Sequence, residues 1–222
     1  MIKSEFSEKV YEIFINHELL SNGYIIYAPS QRKEKSLGYD ALCHMTKGSK
    51  IKAIALQYKI VWEYENPPFP LSYPSFRFDL HKSSTGKYTQ HNIMVKRNTS
   101  ISQTMPALYC VPKFIDYKSL YKNLQSGTLL QNSCLIMPFD EIIDSEYHCI
   151  KFDNTLAFQC SNEPREIKIF NVERVFEAQE PISFEGFIKR IATQDNQTEP
   201  FEQLNECLAK THSFLLLKTI PN

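Results

Sequence analysis

The sequence lacks any apolar run approaching the roughly 18 residues of a membrane-spanning helix, which excludes a helical span and makes a soluble protein the expectation. It also lacks net charge, with 25 Lys and Arg against 25 Asp and Glu. A strong non-specific nucleic-acid binder carries an electropositive footprint over the whole chain, so any basic surface here must be local. There is no C-x-x-C pair among the six cysteines, Cys43, Cys110, Cys134, Cys149, Cys160 and Cys207. That absence excludes the common zinc-ribbon spacings and suits buried thiols in a reduced compartment. The N-terminus, Met-Ile-Lys-Ser-Glu-Phe, lacks an apolar core followed by a small-residue cleavage site, so it does not read as a secretory signal. A cytoplasmic location is the expectation. No internal repeat is present.

What is there fits one well-filled domain of 222 residues, read as a core over residues 1–125 with an extension over 126–222 packed on it. Residues 2–19 read as a helix buried on two sides, with Phe6, Val10, Ile13 and Phe14 along one and Tyr11, Ile15 and Leu19 along the other. Ser21-Asn22-Gly23 stops it, and Tyr24–Tyr27 is a short apolar run, an edge strand or an extended connection. Phe76–Leu80 reads as a strand, Tyr88–Lys96 as a helix and Ala107–Val111 as a further strand. Residues 128–175 suggest additional short strands, and residues 183–192 and 200–212 suggest helices. Trp62, the only tryptophan, reads as a core or sheet-end anchor. Basic runs at Gln31-Arg32-Lys33, over 82–87, at Lys96-Arg97 and at Lys113, Lys118 and Lys122 either track a phosphate backbone or are solvated faces.

The informative stretch is 37–61, where two β-type segments flank Lys47-Gly48-Ser49-Lys50, a two-residue Gly-X hairpin loop. If Gly48-Ser49 is the loop, paired positions have a constant sum. Met45 then faces Lys52, Cys43 faces Ile54, Ala41 faces Leu56 and Tyr39 faces Tyr58, a mostly apolar side. The other side carries Asp40, Leu42 and His44 against Ala53, Ala55, Gln57 and Lys59, because strand side chains alternate with period two. Asp40 falls opposite Gln57, with Lys59 diagonal to both, within reach of a long side chain.

An aspartate, a second oxygen ligand and a lysine on adjacent strands meet the needs of phosphodiester hydrolysis: a hard cation held by oxygens, an oriented water and charge stabilisation at the phosphate. Gly38-Tyr39-Asp40 and Gln57-Tyr58-Lys59 are similar to the G-x-D…Q-x-K variant of the PD-(D/E)XK motif, best known from Mrr-like restriction endonucleases. The resemblance covers residues 2–112. It implies an α/β fold with a restriction-endonuclease-like core of helix, three strands, helix and strand around a mixed sheet, and a C-terminal extension of mixed strands and helices. It implies Mg²⁺ or Mn²⁺ as cofactor, bound by Asp40, Gln57 and a glutamate of the first helix, with Lys59 handling the attacking water. Glu5, Glu8 and Glu12 qualify for that glutamate, and Glu8 is favoured.

The implied activity is that of a metal-dependent endonuclease acting on nucleic acid, with DNA the expected partner and restriction or antiviral defence the expected role. A homodimer or partner proteins in a defence complex fit the same reading, and a membrane does not. Gln57 stands where commoner members carry Asp or Glu, and a neutral amide binds a hard cation less well. The metal site therefore leans on Asp40 and the helix glutamate, and a catalytically weak or inactive nuclease-fold binding subunit remains the alternative. Glu34, in the polar loop six residues before Asp40, either compensates for the neutral Gln57 or is a solvated surface carboxylate, the second being favoured. His44 shares the Asp40 side near the hairpin tip, and His81, His91 and His148 show no metal-ligand spacing and read as structural or surface residues.

Overall fold

The computed structural model describes residues 1–29, 34, 37–47, 50–82, 87–101, 105–138, 140–144, 147–160, 164–170, 175 and 181–183. The chain opens with a short strand, β1 (Ile2–Lys3), and only then enters helix α1 (Glu8–Ser21). The expected helix over 2–19 thus begins six residues late. Ser7 is the reason: its backbone is extended and its side chain accepts from Val10 N, an N-cap that hydrophobic periodicity alone passes over. The helix buries one broad face through Tyr11, Ile15, Glu18 and Leu19 and leaves Ile13 exposed, so it lies on the core and is not sandwiched within it. Asn22 and a left-handed Gly23 end it where Ser21-Asn22-Gly23 was expected to.

Strands β2 (Ile25–Tyr27), β3 (Ala41–Lys47) and β4 (Lys50–Tyr58) follow as an antiparallel meander. The β3–β4 ladder has the expected register, with Lys47 facing Lys50, Met45 facing Lys52, Cys43 facing Ile54 and Ala41 facing Leu56. Gly48 and Ser49 themselves lie outside the described residues. The alternation does not extend to Tyr39, which packs with Leu42, Ala53 and Ala55 and not with Ala41 and Cys43. The chain bends at Gly38 and Asp40 before the ladder begins, and the parity is lost there.

Beyond β4 the chain crosses to a second sheet through β5 (Trp62–Glu63) and β6 (Phe76–Asp79), then forms α2 (Thr89–Ile101), β7 (Ala107–Pro112) and α3 (Tyr117–Ser126). β7 returns beside β4 in parallel. A parallel neighbour needs such a crossover. The remaining strands are β8 (Ser133–Ile136), β9 (Cys149–Phe152), β10 (Ala157–Cys160), β11 (Arg165–Ile167), β12 (Ile169–Phe170) and β13 (Ile182–Ser183). The mixed sheet runs β12-β8-β7-β4-β3-β2, with β13 pairing the start of β4, and the antiparallel sheet runs β1-β5-β6-β9-β10-β11. The strand expected over 76–80 therefore does not extend the hairpin's sheet, because a local pattern carries no information about which sheet a strand joins. Strands beyond residue 126 enter both sheets. The helices expected over 183–192 and 200–212 lie outside the described residues, apart from Ser183 at the end of β13.

The fold is α/β, with one mixed sheet, one antiparallel sheet and three helices among the described residues. β4 is central, and from Ala53 to Tyr58 both of its faces are buried. On one face Ile54, Leu56 and Tyr58 pack with Tyr11, Ile15 and Leu19 of α1 and Leu120 of α3. On the other, Ala53 and Ala55 join Met94 of α2 and the aromatic side of the second sheet, where Phe78 and Tyr109 rings approach to 5.0 Å. No helix among the described residues is long and apolar enough to cross a membrane. Cys43, Cys110, Cys134 and Cys149 are buried free thiols and Cys160 is half-buried. Cys207 lies outside the described residues.

One buried charge ties α1 to the rest. Glu18, 5 % exposed, accepts from Leu129 N at 2.8 Å and Leu130 N at 3.0 Å, satisfying two amides that follow α3. Glu18→Ala leaves both donors buried and unmatched and should lower stability by about 2–4 kcal/mol in urea unfolding, with Glu18→Gln losing about half as much. A loss below about 0.5 kcal/mol for the alanine variant would show that these amides find other partners.

Candidate active site

Asp40 sits one residue ahead of β3 but is already tied to β4. Its N–H donates to Leu56 O at 2.8 Å, and its Oδ2 accepts from Tyr58 N at 2.8 Å and from Gln57 Nε2 at 2.6 Å. Gln57 Oε1 in turn accepts from Gln90 Nε2, in the first turn of α2. Gln57 thus presents its amide nitrogen to the carboxylate, which makes it the residue that orients Asp40. In this network its amide oxygen is turned to α2.

Close packing brings α2 to this point. Gly38 has φ +75°, and a Cβ there would lie 2.9 Å from Ile93 Cγ2 and 3.2 Å from Gln90 O. Only glycine tolerates both the left-handed backbone and that approach. Gly38 N also donates to Glu34 O at 2.8 Å. Glu34 is half-buried and its carboxyl acts on that of Asp40, so of its two readings the fully solvated one does not hold.

Lys59 follows β4 directly, where its N–H still donates to Cys110 O of β7 at 3.1 Å. Its side chain is buried, and Nζ lies 3.3 and 3.4 Å from the two Glu8 oxygens. Of the three helix glutamates, Glu8 is the one that reaches Lys59. Glu5 accepts from Tyr117 N at the start of α3, and Glu12 pairs with Lys9.

The electrostatics of the cluster are unbalanced toward negative charge. Burial, with the Glu34 hydrogen bond next, pushes the Asp40 carboxyl up to about 7 against the opposing Tyr58 N–H and Lys59. Burial likewise raises Glu8, with Asp40 adding to the rise, while Lys59 and His81 oppose it. Asp40, Glu34 and Glu8 share their neighbourhood with Lys59 and Lys9, and burial beside other carboxyls favours the protonated form of Asp40. Among the described residues no three His, Cys, Asp or Glu side chains are arranged as a ready metal-ion cluster.

Beside Lys59 and Glu8 opens a cleft of about 500 Å³ whose far side carries Asp79, His81 and Tyr147. His81, read from sequence as a structural or surface residue, is exposed; it lies on this cleft and acts on Glu8. His44 and His148 are buried, and His91 bridges Tyr109 and Asp140 O. Sequence reasoning missed Gln90. The one signal available for it was Gly38, whose invitation to close backbone packing says that something sits beside Asp40 without saying what.

A raised Asp40 makes stability depend on pH in a defined direction. Because the folded chain holds this proton more tightly than the unfolded one, the contribution is fully present below about pH 4 and is lost as pH rises through about 7. Asp40→Asn removes that loss. The free energy of urea unfolding in chelator should therefore fall from pH 5 to pH 8 by roughly 2 kcal/mol more in the native protein than in Asp40→Asn. Parallel curves would mean that Asp40 is already ionised at low pH. No protein family, curated protein or solved structure matches this chain.

Proposed function

We propose that the chain is a metal-dependent nuclease hydrolysing phosphodiester bonds, with DNA as substrate. The observation that carries this reading is the convergence of Asp40, held by Gln57 and the Tyr58 N–H, with the Lys59–Glu8 pair at the end of β4. The return of β7 beside β4 in parallel after α2 supports it, although β6, read from sequence as the third strand of that core, lies in the other sheet.

The donor set fits a hard divalent cation. Asp40 and Glu34 bring carboxylates together with less cationic balance than their burial calls for, and Mg²⁺ characteristically takes one or two carboxylates and leaves its other positions to water and substrate phosphate. Asp40 and Glu34, with Glu8 close by, would hold Mg²⁺ or Mn²⁺. Bound there, the ion supplies an acidified water and neutralises charge on the phosphate.

The protein's own groups do the rest. Gln57 and the Tyr58 amide fix the rotamer of Asp40, so its outward oxygen is oriented before substrate arrives. Lys59, in a site largely closed to water, presents its ammonium to the phosphoryl oxygens, where charge develops. Glu8 holds Lys59 in place and, with its raised affinity for protons, is a group able to exchange one with water in the cleft. A role in restriction or antiviral defence, in the cytoplasm and as a dimer or with partner proteins, is part of the same proposal.

A second reading is favoured by one observation: the residue opposite Asp40 is a neutral amide turned by its nitrogen to the carboxylate. On that reading the chain binds nucleic acid without cutting it, as a subunit of a larger complex.

The two separate in one set of measurements. With Mg²⁺ or Mn²⁺ the protein should nick or linearise plasmid DNA, and Asp40→Ala and Lys59→Ala should each reduce cleavage by about a hundredfold or more with circular dichroism unchanged. Cleavage undiminished in both variants sinks the nuclease assignment. No cleavage, together with no Asp40-dependent heat on titrating Mg²⁺, favours the binding subunit.

A further inference from the structure

The second sheet has an outer face that the proposed reaction does not use. Its inner face is committed to the core through Phe76, Phe78, Ile150 and Phe152. Register places the alternate residues on the other side. Lys3 faces Trp62, Trp62 faces Arg77, Arg77 faces Lys151 and Lys151 faces Phe158, across β1, β5, β6, β9 and β10 in turn. Directly opposed residues share a face, so the row reads cation, aromatic, cation, cation, aromatic across five strands, and Glu166 of β11 closes it beside Phe158.

The side chains along this row are already stacked on one another. Lys3 Nζ lies 5.7 Å from the Trp62 ring and the Arg77 guanidinium 5.9 Å from it, while the same guanidinium lies 5.2 Å from the Tyr147 ring. Asp79 anchors the group, accepting from Arg77 Nε at 3.0 Å and from the Tyr147 hydroxyl. Tyr147 is nevertheless 56 % exposed. The row begins at the cleft that holds Lys59 and Glu8, since Lys3, Trp62 and Tyr147 line that cleft. In a chain of zero net charge this is a local cationic surface interleaved with rings, and it is continuous with the candidate active site.

We infer that the outer face of the second sheet binds a single strand of nucleic acid and leads it into the cleft beside Lys59. Bases stack on Trp62, Tyr147 and Phe158, and phosphates pair with Lys3, Arg77 and Lys151. Stacking rings between fixed cations is how single strands are held without base readout, because every base has a π-face. The alternative occupant, intact duplex, keeps its bases stacked on each other and offers none to these rings. The cleft itself, about 500 Å³, is the size of a small-ligand site and takes one nucleotide unit. The inference deepens the nuclease reading by naming its substrate as an unpaired end, flap or splayed strand, and it takes its direction along the row from that reading.

Trp62 is the sole tryptophan and a built-in reporter. In chelator, using Asp40→Ala so that binding is read without cleavage, a single-stranded oligothymidylate should quench Trp62 fluorescence. A blunt duplex of equal length and the base-free polyanion dextran sulfate should bind at least about tenfold more weakly. Tyr147→Ala should weaken oligothymidylate about tenfold, and Lys151→Gln should lower the salt dependence by about 0.7 in the log–log slope. Oligouridylate serves as the RNA arm, and quenching by either oligonucleotide supports the site and tells which sugar it accepts.

Equal binding of duplex or dextran sulfate, or unchanged affinity in Tyr147→Ala together with an unchanged slope in Lys151→Gln, overturns the inference. Both side chains reach solvent, and urea midpoints close to that of Asp40→Ala alone certify the fold. The two readings fail separately. Cleaved DNA without preference for single strands removes only the platform, and Tyr147-dependent quenching in a protein that never cuts removes only the nuclease.

Discussion

Two donors on β4, the Tyr58 N–H at 2.8 Å and Gln57 Nε2 at 2.6 Å, hold one oxygen of Asp40, and the candidate site exists where they do. From Ala53 to Tyr58 β4 is buried throughout, so an acidic group brought to it leaves water on nearly every side. Each neighbour of Asp40 answers that constraint. Gln90 turns Gln57 so that its nitrogen faces the carboxylate, and Lys59 supplies positive charge from the residue after β4. Burial still keeps the Asp40 proton affinity high.

Much of this was legible along β3 and β4. A Gly-X loop fixes a hairpin register, and with period-two alternation the register fixes which residues meet. That is why Asp40 and Gln57 could be placed together from sequence, and why Lys59 could be placed near them. The same arithmetic failed at Tyr39, one residue before the bend at Asp40, because alternation holds only inside a ladder. Gln90 comes from a helix whose position depends on packing around Gly38, a tertiary event with no period to read. The first helix was begun too early for the opposite reason: apolar residues at 2 and 6 suggested continuity, and the cap at Ser7 was the stronger local instruction.

The second sheet was least legible because its strands are two to four residues long. Segments that short show no periodicity, and their pairing partners lie far apart in sequence: Ile2 with Glu63, Phe76 with Phe152. Only the assembled register reveals that Lys3, Trp62, Arg77 and Lys151 form one row. No basic run marked them, since each lies on a different strand. A search for charge clusters along the chain therefore points to exposed runs such as Lys113, Lys118 and Lys122 and passes over a surface that exists only across strands.

Lys59 links the two halves. It follows the last residue of β4 in the mixed sheet, and three residues later Trp62 begins the antiparallel one. The backbone at that crossing is fixed from both sides, by Lys59 N to Cys110 O and by Ser4 N and Oγ to Val61 O. The lysine thus stands at a seam with one sheet behind it and the cleft in front. This placement also gives Gln57 a physical rationale. Position 57 is 1 % exposed and already adjoins Asp40 and, through it, Glu34. A carboxylate there would put a further negative charge into a buried part of the sheet without a donor for Asp40, whereas the amide supplies that donor and adds no charge.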